Sequence, residues 1–335
     1  MNGGASALAG GGAIIRAAFL VAVALAAVHA TGSSAQGFPV KPVRVVVPLV
    51  PGGNLDIVAR AVSQRLAEAF GQQFVVENRP GASSLVGTQY VAKSAPDGYT
   101  LLAIANTFTA VPSVIASPGY DPLRDFTGVS MTCKVAQVLV VTPTLPVRTV
   151  RELVALAKAR PGELSYASSG NGSTGHFAAE LFNQKAGLKM LHVPYKGNAQ
   201  ALVDIIAGQV MMMYDQVSTS HPHVKAGKLK ALAVTSSTRS NLFPELPTID
   251  EAGVKGYEAI TFNGLLAPAG APRDVLSRLQ AEIAKAVAAP ALRNSFLERG
   301  LELTASGSPD EFTAYIRNEV AASAMLARNA GIKAQ

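Results

Sequence analysis

Two stretches of this chain carry residue types suited to holding a small anion, and they are built alike. The first reads Arg44-Val-Val-Val-Pro-Leu-Val-Pro-Gly-Gly-Asn-Leu-Asp56 and runs on into an amphipathic segment from Ile57 to Phe70. The second reads Leu164-Ser-Tyr-Ala-Ser-Ser-Gly-Asn-Gly-Ser-Thr-Gly-His176 and continues from Phe177 to Ala186. Each is a strand, a glycine-rich turn and a helix start. Backbone N–H groups at a helix start have no partner within the helix, carry partial positive charge and donate to anions. Two such starts, one per α/β lobe, could grip one carboxylate from opposite sides without an arginine.

In the first turn, Gly52 and Gly53 permit close backbone approach, and Asn54 offers its amide either to cap the helix or to donate to a carboxylate. The charge of Asp56 opposes an anion, so its expected work is to stabilise the first helical turn or to hold a water. In the second turn, Ser168, Ser169, Ser173 and Thr174 bring hydroxyls, while Gly170 and Gly172 expose N–H groups. His176 lies in the first turn of its helix, where it can pack, cap or touch ligand. Tyr195-Lys-Gly197 opens a third helix start. Asp215 ends a strand, placed either to accept from a ligand hydroxyl or amine or to serve a hinge.

Other chemistries fit less well. Ser173, His176 and Asp215 are triad residue types, but Asn171-Gly-Ser-Thr-Gly175 is not the Gly-x-Ser-x-Gly elbow of a hydrolase. No Walker lysine follows the glycines, which disfavours nucleotide binding. His221 and His223 flank Pro222 and read as a loop rather than as zinc ligands, so neither a metal nor a cofactor is expected. The formal net charge is +7, yet the basic residues are dispersed and form no nucleic-acid patch. Cys133 is the single cysteine; it excludes an internal disulfide and reads as a small buried hydrophobe.

The elements that must position these turns follow from periodicity. Arg16 precedes a twelve-residue apolar run, Ala17 to Val28, and then His29-Ala-Thr-Gly-Ser-Ser-Ala35, the pattern of a secretory signal peptide cleaved after Ala30 or Ala35. From Pro42 onward, short β-branched runs alternate with helical runs, which predicts α/β layers around a parallel-type sheet. In the first helix, Ile57, Val58, Ala61, Val62, Leu66, Ala69 and Phe70 form the inward face, with Arg60, Ser63, Gln64 and Glu68 outward. Thr149 with Glu152 reads as a capping box, a strand is expected over Gln137–Val141, and Met211–Met213 reads as strand core. The chain is expected to cross between lobes near Val135–Val138 and again near Gly256–Asn263. The expected organisation is a signal peptide over 1–35, a discontinuous first lobe of 36–137 plus 259–335, and a second lobe of 138–258.

These residues resemble the tripartite tricarboxylate transporter receptors, also called Bug receptors, over nearly the whole chain from Pro42 to about Ile332. The resemblance is carried by Pro51-Gly-Gly-Asn-Leu-Asp56, Val76-Glu-Asn-Arg-Pro-Gly-Ala82, Ala95-Pro-Asp-Gly-Tyr99, Tyr120-Asp-Pro-Leu-Arg-Asp-Phe126 and Tyr166-Ala-Ser-Ser-Gly-Asn-Gly-Ser173. It continues through His192-Val-Pro-Tyr-Lys-Gly197, Ala226-Gly-Lys-Leu-Lys-Ala-Leu-Ala-Val-Thr235, Pro247-Thr-Ile-Asp-Glu-Ala-Gly253 and Gly264-Leu-Leu-Ala-Pro-Ala-Gly270. It implies a two-lobed class II periplasmic-binding-protein fold (a Venus flytrap), with a carboxylate held between the lobes by loop N–H groups, hydroxyls and waters. It also implies a periplasmic receptor that delivers its ligand to membrane permease subunits; the chain is expected to be monomeric, not an enzyme and, with no cysteine near the leader, not lipid-anchored. Docking on a sensor kinase is the alternative, and a hydrolase the remoter one. The chain departs from the family pattern at Asn54, Met211, Phe262-Asn263 and Ala105-Asn-Thr-Phe-Thr109, positions that could retune specificity.

Overall fold

The computed structural model describes residues 37–329 and 331, so the segment read as a signal peptide lies outside the described residues. Among those residues no helix is long and apolar enough to cross a membrane. Ten strands join into one connected sheet. β1 (Val43–Val47) is flanked in parallel by β2 (Phe74–Asn78) and β3 (Thr100–Ala105). Farther along the chain, β5 (Ser165–Ser168) lies parallel between β6 (Leu191–Pro194) and β7 (Met212–Gln216).

The two parallel groups are joined by antiparallel strands, so the sheet is mixed where the sequence pointed to a parallel one. β4 (Phe126–Val141) and β9 (Ile260–Pro268) make that join. β4 is 16 residues long, far longer than the Gln137–Val141 stretch its apolar run suggests. Its residues Phe126 to Ala136 pair with β9, and from Gln137 to Val141 it pairs with β7. β8 (Lys230–Val234) and the short β10 (Glu302–Leu303) also pair with β4. One strand therefore runs through both halves, changing partners between Ala136 and Gln137. The molecule is two-lobed, and β4 and β9 are its hinge.

Each lobe has its own core. In the first, Phe108, Tyr120, Phe126, Phe262 and Phe312 pack around Val46, Leu102 and Ile104. A side chain at Gly264 could not fit here, since a Cβ would stand 2.2 Å from Phe312 Cζ. In the second, Leu139 and Val141 face Phe182, Tyr214 and Tyr257, while Val138 and Val140 face Ile205, Met213 and Phe243. This half of β4 is buried on both faces, which is why it reads as an unbroken apolar run. Met212, Met213 and Cys133 are fully buried.

The helices follow the predicted periodicity with five differences. α1 (Asn54–Phe70) ends on left-handed Gly71, but its buried face is rotated to Leu55, Asp56, Val58, Ala59, Val62, Ser63 and Leu66. Ser63 is thus buried rather than outward. A helix absent from the sequence reading, α3 (Thr107–Val114), follows α2 (Leu85–Ala92) and contains Pro112. In α4 (Val150–Ala159) Thr149 caps as predicted, accepting from Glu152 N, and the Glu152 carboxylate accepts from Arg148 N rather than from Thr149 N. After α5 (Thr174–Ala186) and α6 (Asn198–Ile206), the His221-Pro-His223 segment lies inside α7 (Val217–Lys225), not in a loop. α8 (Arg273–Ala288) is followed by an unpredicted α9 (Pro290–Leu297), whose proline occupies the first helical turn. α10 (Pro309–Asn329) closes the described chain, packing on α3 and β4 and reaching α5.

Candidate ligand-binding site between the lobes

The first turn is held rigid from below. Asp56 is buried and accepts from Gly52 N at 3.0 Å, Arg60 Nε at 3.0 Å and Asn78 Nδ2 at 2.9 Å. Burial pushes its carboxyl up, but the bonds from Arg60, Gly52 and Asn78 together outweigh that and leave it below the ordinary range. Asn78 also donates to Leu49 O and accepts from Arg60 Nη2. Asp56 is therefore a strut of the turn, and the Gly52 N–H is spent on it. Gly52 sits at φ +85°, a conformation that favours glycine. Gly53 occupies the N-cap with no side-chain cap. Asn54 is the first helical residue, so it does not cap. Its amide donates across the cleft to Gln216 Oε1 at 2.7 Å.

The second turn is propped by two histidines. Ser168 Oγ lies fully buried, 2.6 Å from His192 Nε2, and bonds both the N–H and the carbonyl of Gly170. His176 Nδ1 accepts from Gly172 N at 3.0 Å, which fixes the tautomer with its proton on Nε2. The two imidazoles stack 3.9 Å apart, and Tyr166 stacks on His192. Burial, then the neighbouring His192, push the His176 pKa down to about 4; burial also lowers that of His192. A neutral stacked pair thus shapes the loop. Ser168 and His192 resemble a nucleophile–base pair in distance, but the hydroxyl is sealed inside its own turn.

What the second turn offers outward is narrower than the sequence suggests. Ser173 caps α5 by accepting from His176 N at 3.4 Å, which leaves its own O–H to donate. Thr174 Oγ1 accepts from Gln137 Nε2 of the hinge at 3.2 Å. Ser169 is half-buried. Gly175 allows α5 to approach β7, since a Cβ there would stand 2.8 Å from Tyr214 O. At Gly172 a Cβ would meet Val114 of the first lobe at 3.1 Å, so this turn also lies on the seam between lobes.

Tyr195 and Asp215 are committed internally. Tyr195 OH donates to Asp204 Oδ2 at 2.7 Å, and its N–H to Ser168 O. Asp215 is fully buried and accepts from Asn198 Nδ2 at 2.6 Å, Ser220 Oγ at 2.7 Å and Thr219 Oγ1. Burial outweighs these bonds and holds its carboxyl above the ordinary range. It ties the start of α6 to the start of α7, directly behind Gln216.

A cavity of about 310 Å³ lies between the lobes beside the second turn. It is lined by Lys134, Gln137 and Ile260 of the hinge, by Gly172 and Thr174 of the second turn, and by Asn106. Gly52–Asp56 do not line it. Asn106 is fixed by bonds to Ile260 O and Phe262 N of β9. Gln216, Asn78, His192, Gln137 and Asn106 were not singled out from the sequence. Asn78 and His192 stood inside quoted blocks, and Asn106 inside the Ala105–Thr109 stretch where the chain departs from the family pattern.

A two-lobed sheet hinged on two crossing strands, with helix starts facing each other across the seam, is the fold of a periplasmic solute-binding protein. The model of the family described as "Tripartite tricarboxylate transporter family receptor" matches residues 58–332, and the chain belongs to that family. Protein BugT of Bordetella pertussis is 35% identical over 302 residues, 90% of this chain and 92% of that protein. Among solved structures, a Rhodopseudomonas palustris protein with adipate is 38% identical with a TM-score of 0.75, covering 89% of this chain and all of that one. MatC from the same organism, with bound malate, is 29% identical with a TM-score of 0.70, covering 86% of this chain and 99% of that chain.

Proposed function

We propose that this chain is an exported receptor that captures a small carboxylate between its lobes and delivers it to a permease of the tripartite tricarboxylate type. The observation that carries the reading is the placement of both turns on one seam. Asn54 reaches Gln216 from the first lobe, and Gly172 meets Val114 from the second. The helix-start N–H groups of Asn54 and Leu55, of Thr174 and Gly175, and the Ser173 hydroxyl then supply donors from both sides. The family and the adipate and malate carried by its solved members support an acid as the ligand. In this reading residues 36–137 plus 259–335 and residues 138–258 close as two bodies, and the leader up to Ala30 or Ala35 is removed. The protein binds and releases; it does not turn its ligand over.

A thermal-shift screen of aliphatic and aromatic acids tests this. A saturating acid at about 100 times Kd should stabilise the fold by about 2.7 kcal/mol, shrink the radius of gyration and be recovered unaltered. Stabilisation by sugars alone would refute the carboxylate assignment, and turnover of the acid would refute the receptor assignment.

A further inference from the structure

We infer that the inter-lobe cavity receives the body of the ligand, and that the acid taken is a monocarboxylate with an apolar aryl or alkyl body. The inference rests on the carboxylate reading above and names the class of acid. The cavity is lined by Gly172 and Thr174 of the second turn, by Phe177, Ala178, Leu181 and Gln184 farther along α5, and by one face of α10. A carboxylate held at the helix starts therefore has somewhere to place the rest of its skeleton. The walls there are mainly apolar, with Phe177, Ala178 and Leu181 on α5 and Met325 and Leu326 on α10, and Gln184 and Ser323 as polar members. Ala110 of α3 adds to the same surface. About 310 Å³ is roughly twice the ~150 Å³ apolar cavity that accommodates benzene.

The charges on the lining oppose a second carboxylate. Lys134 is the one basic residue on the lining, against Glu258 and Glu319. Lys134 stands opposite Glu302 in the strand register. Glu319 projects from the middle of α10, beside Tyr315 and within the field of Glu258, and burial holds its carboxyl above the ordinary range. A dicarboxylate stretched along the cavity would bring its distal anion to two like charges, and like-charge juxtaposition is a strong means of rejection. An apolar end meets no such opposition. Each methylene buried against the walls is worth roughly a four-fold gain in affinity.

The test is titration calorimetry on the full mature chain with 3-phenylpropanoate, hexanoate, adipate and malate. The expected order places 3-phenylpropanoate and hexanoate at least about ten-fold tighter than malate, as two buried methylenes already supply, and tighter than adipate, whose second carboxylate meets Glu258 and Glu319. Ala322→Trp, at an exposed position on the cavity rim, should weaken 3-phenylpropanoate by about ten-fold or more while leaving malate unchanged, because it removes room without touching the turns. Glu319→Gln should instead tighten adipate relative to malate. Malate or adipate binding as tightly as 3-phenylpropanoate, with neither variant altering the order, overturns the inference and leaves the carboxylate reading standing. Failure of every acid to bind overturns both.

Discussion

The stacked histidines make stability depend on pH in a way that one substitution should isolate. His176 in the folded chain titrates at about 4 instead of 6.5. An unfolded chain therefore takes up a proton below pH 6.5 that the folded chain refuses, so the contribution is complete above that pH and is lost as pH falls toward 4. At about 1.4 kcal/mol per pH unit the full effect is roughly 3 kcal/mol, of which about 2 kcal/mol disappears between pH 7 and pH 5. This window stays above the range where Asp56, Asp125, Asp250 and Glu251, all held low, begin to lose theirs. His192 acts in the same direction and adds to the slope. His176→Asn keeps an acceptor near the place of Nδ1 for the Gly172 N–H but cannot titrate. Urea unfolding at pH 7, 6 and 5 should show the wild type losing more stability than the variant by about 2 kcal/mol over that span. Parallel pH profiles would refute the argument that the buried neutral imidazole is the source.

Asn54→Ala removes the one side-chain bond from the first turn across the seam. It should lower the closed-to-open ratio by about five-fold, since a net hydrogen bond is worth about 1 kcal/mol, as read by small-angle scattering or a distance label on each lobe. Asp56→Ala leaves Gly52, Arg60 and Asn78 without their shared acceptor and should cost about 2–3 kcal/mol in denaturant unfolding. Ser173→Ala removes both a helix cap and an outward O–H. It should cost about 1 kcal/mol of stability and weaken acid binding by at least about ten-fold. Gly264→Ala forces a methyl into Phe312 and should destabilise by about 1–3 kcal/mol, seen as a lower melting temperature with an unchanged ligand order.

The sequence disclosed those parts of the fold whose signals are local. α5 begins and ends where Ser173 and Gly187 say it should, α8 carries a clean helical period, and β3 is an unbroken apolar run. Short elements with mixed signals were hidden. α3 holds Pro112 and α7 holds Pro222, and a proline past the first turn ordinarily argues against a helix. The first half of β4 was missed although Val129, Met131, Cys133 and Val135 alternate, because Ser130 and Thr132 between them are buried as well. Within the site, the glycines and hydroxyls were visible as types, but their commitments were not. Gly52 serves Asp56, Gly172 serves His176, and Asn54 meets Gln216 from 162 residues away. Such pairings depend on register and lobe placement, which no local periodicity encodes.

The place of β9 has a consequence for how the chain is made. It lies between β3 and β4, yet Asn106, at the end of β3, and Ile260, at the start of β9, are 154 positions apart. As the polypeptide emerges, β1, β2 and β3 can pair early, but β3 and the first half of β4 then present raw edges that only β9 will cover. The whole of β5 to β8 must be synthesised in between. Exposed edges of this kind recruit other chains, and closing a loop of such length is slow. The lobe inserted between β4 and β9 can therefore assemble before the one that encloses it in sequence. A chain halted just short of Ile260 should be the most aggregation-prone intermediate of its synthesis.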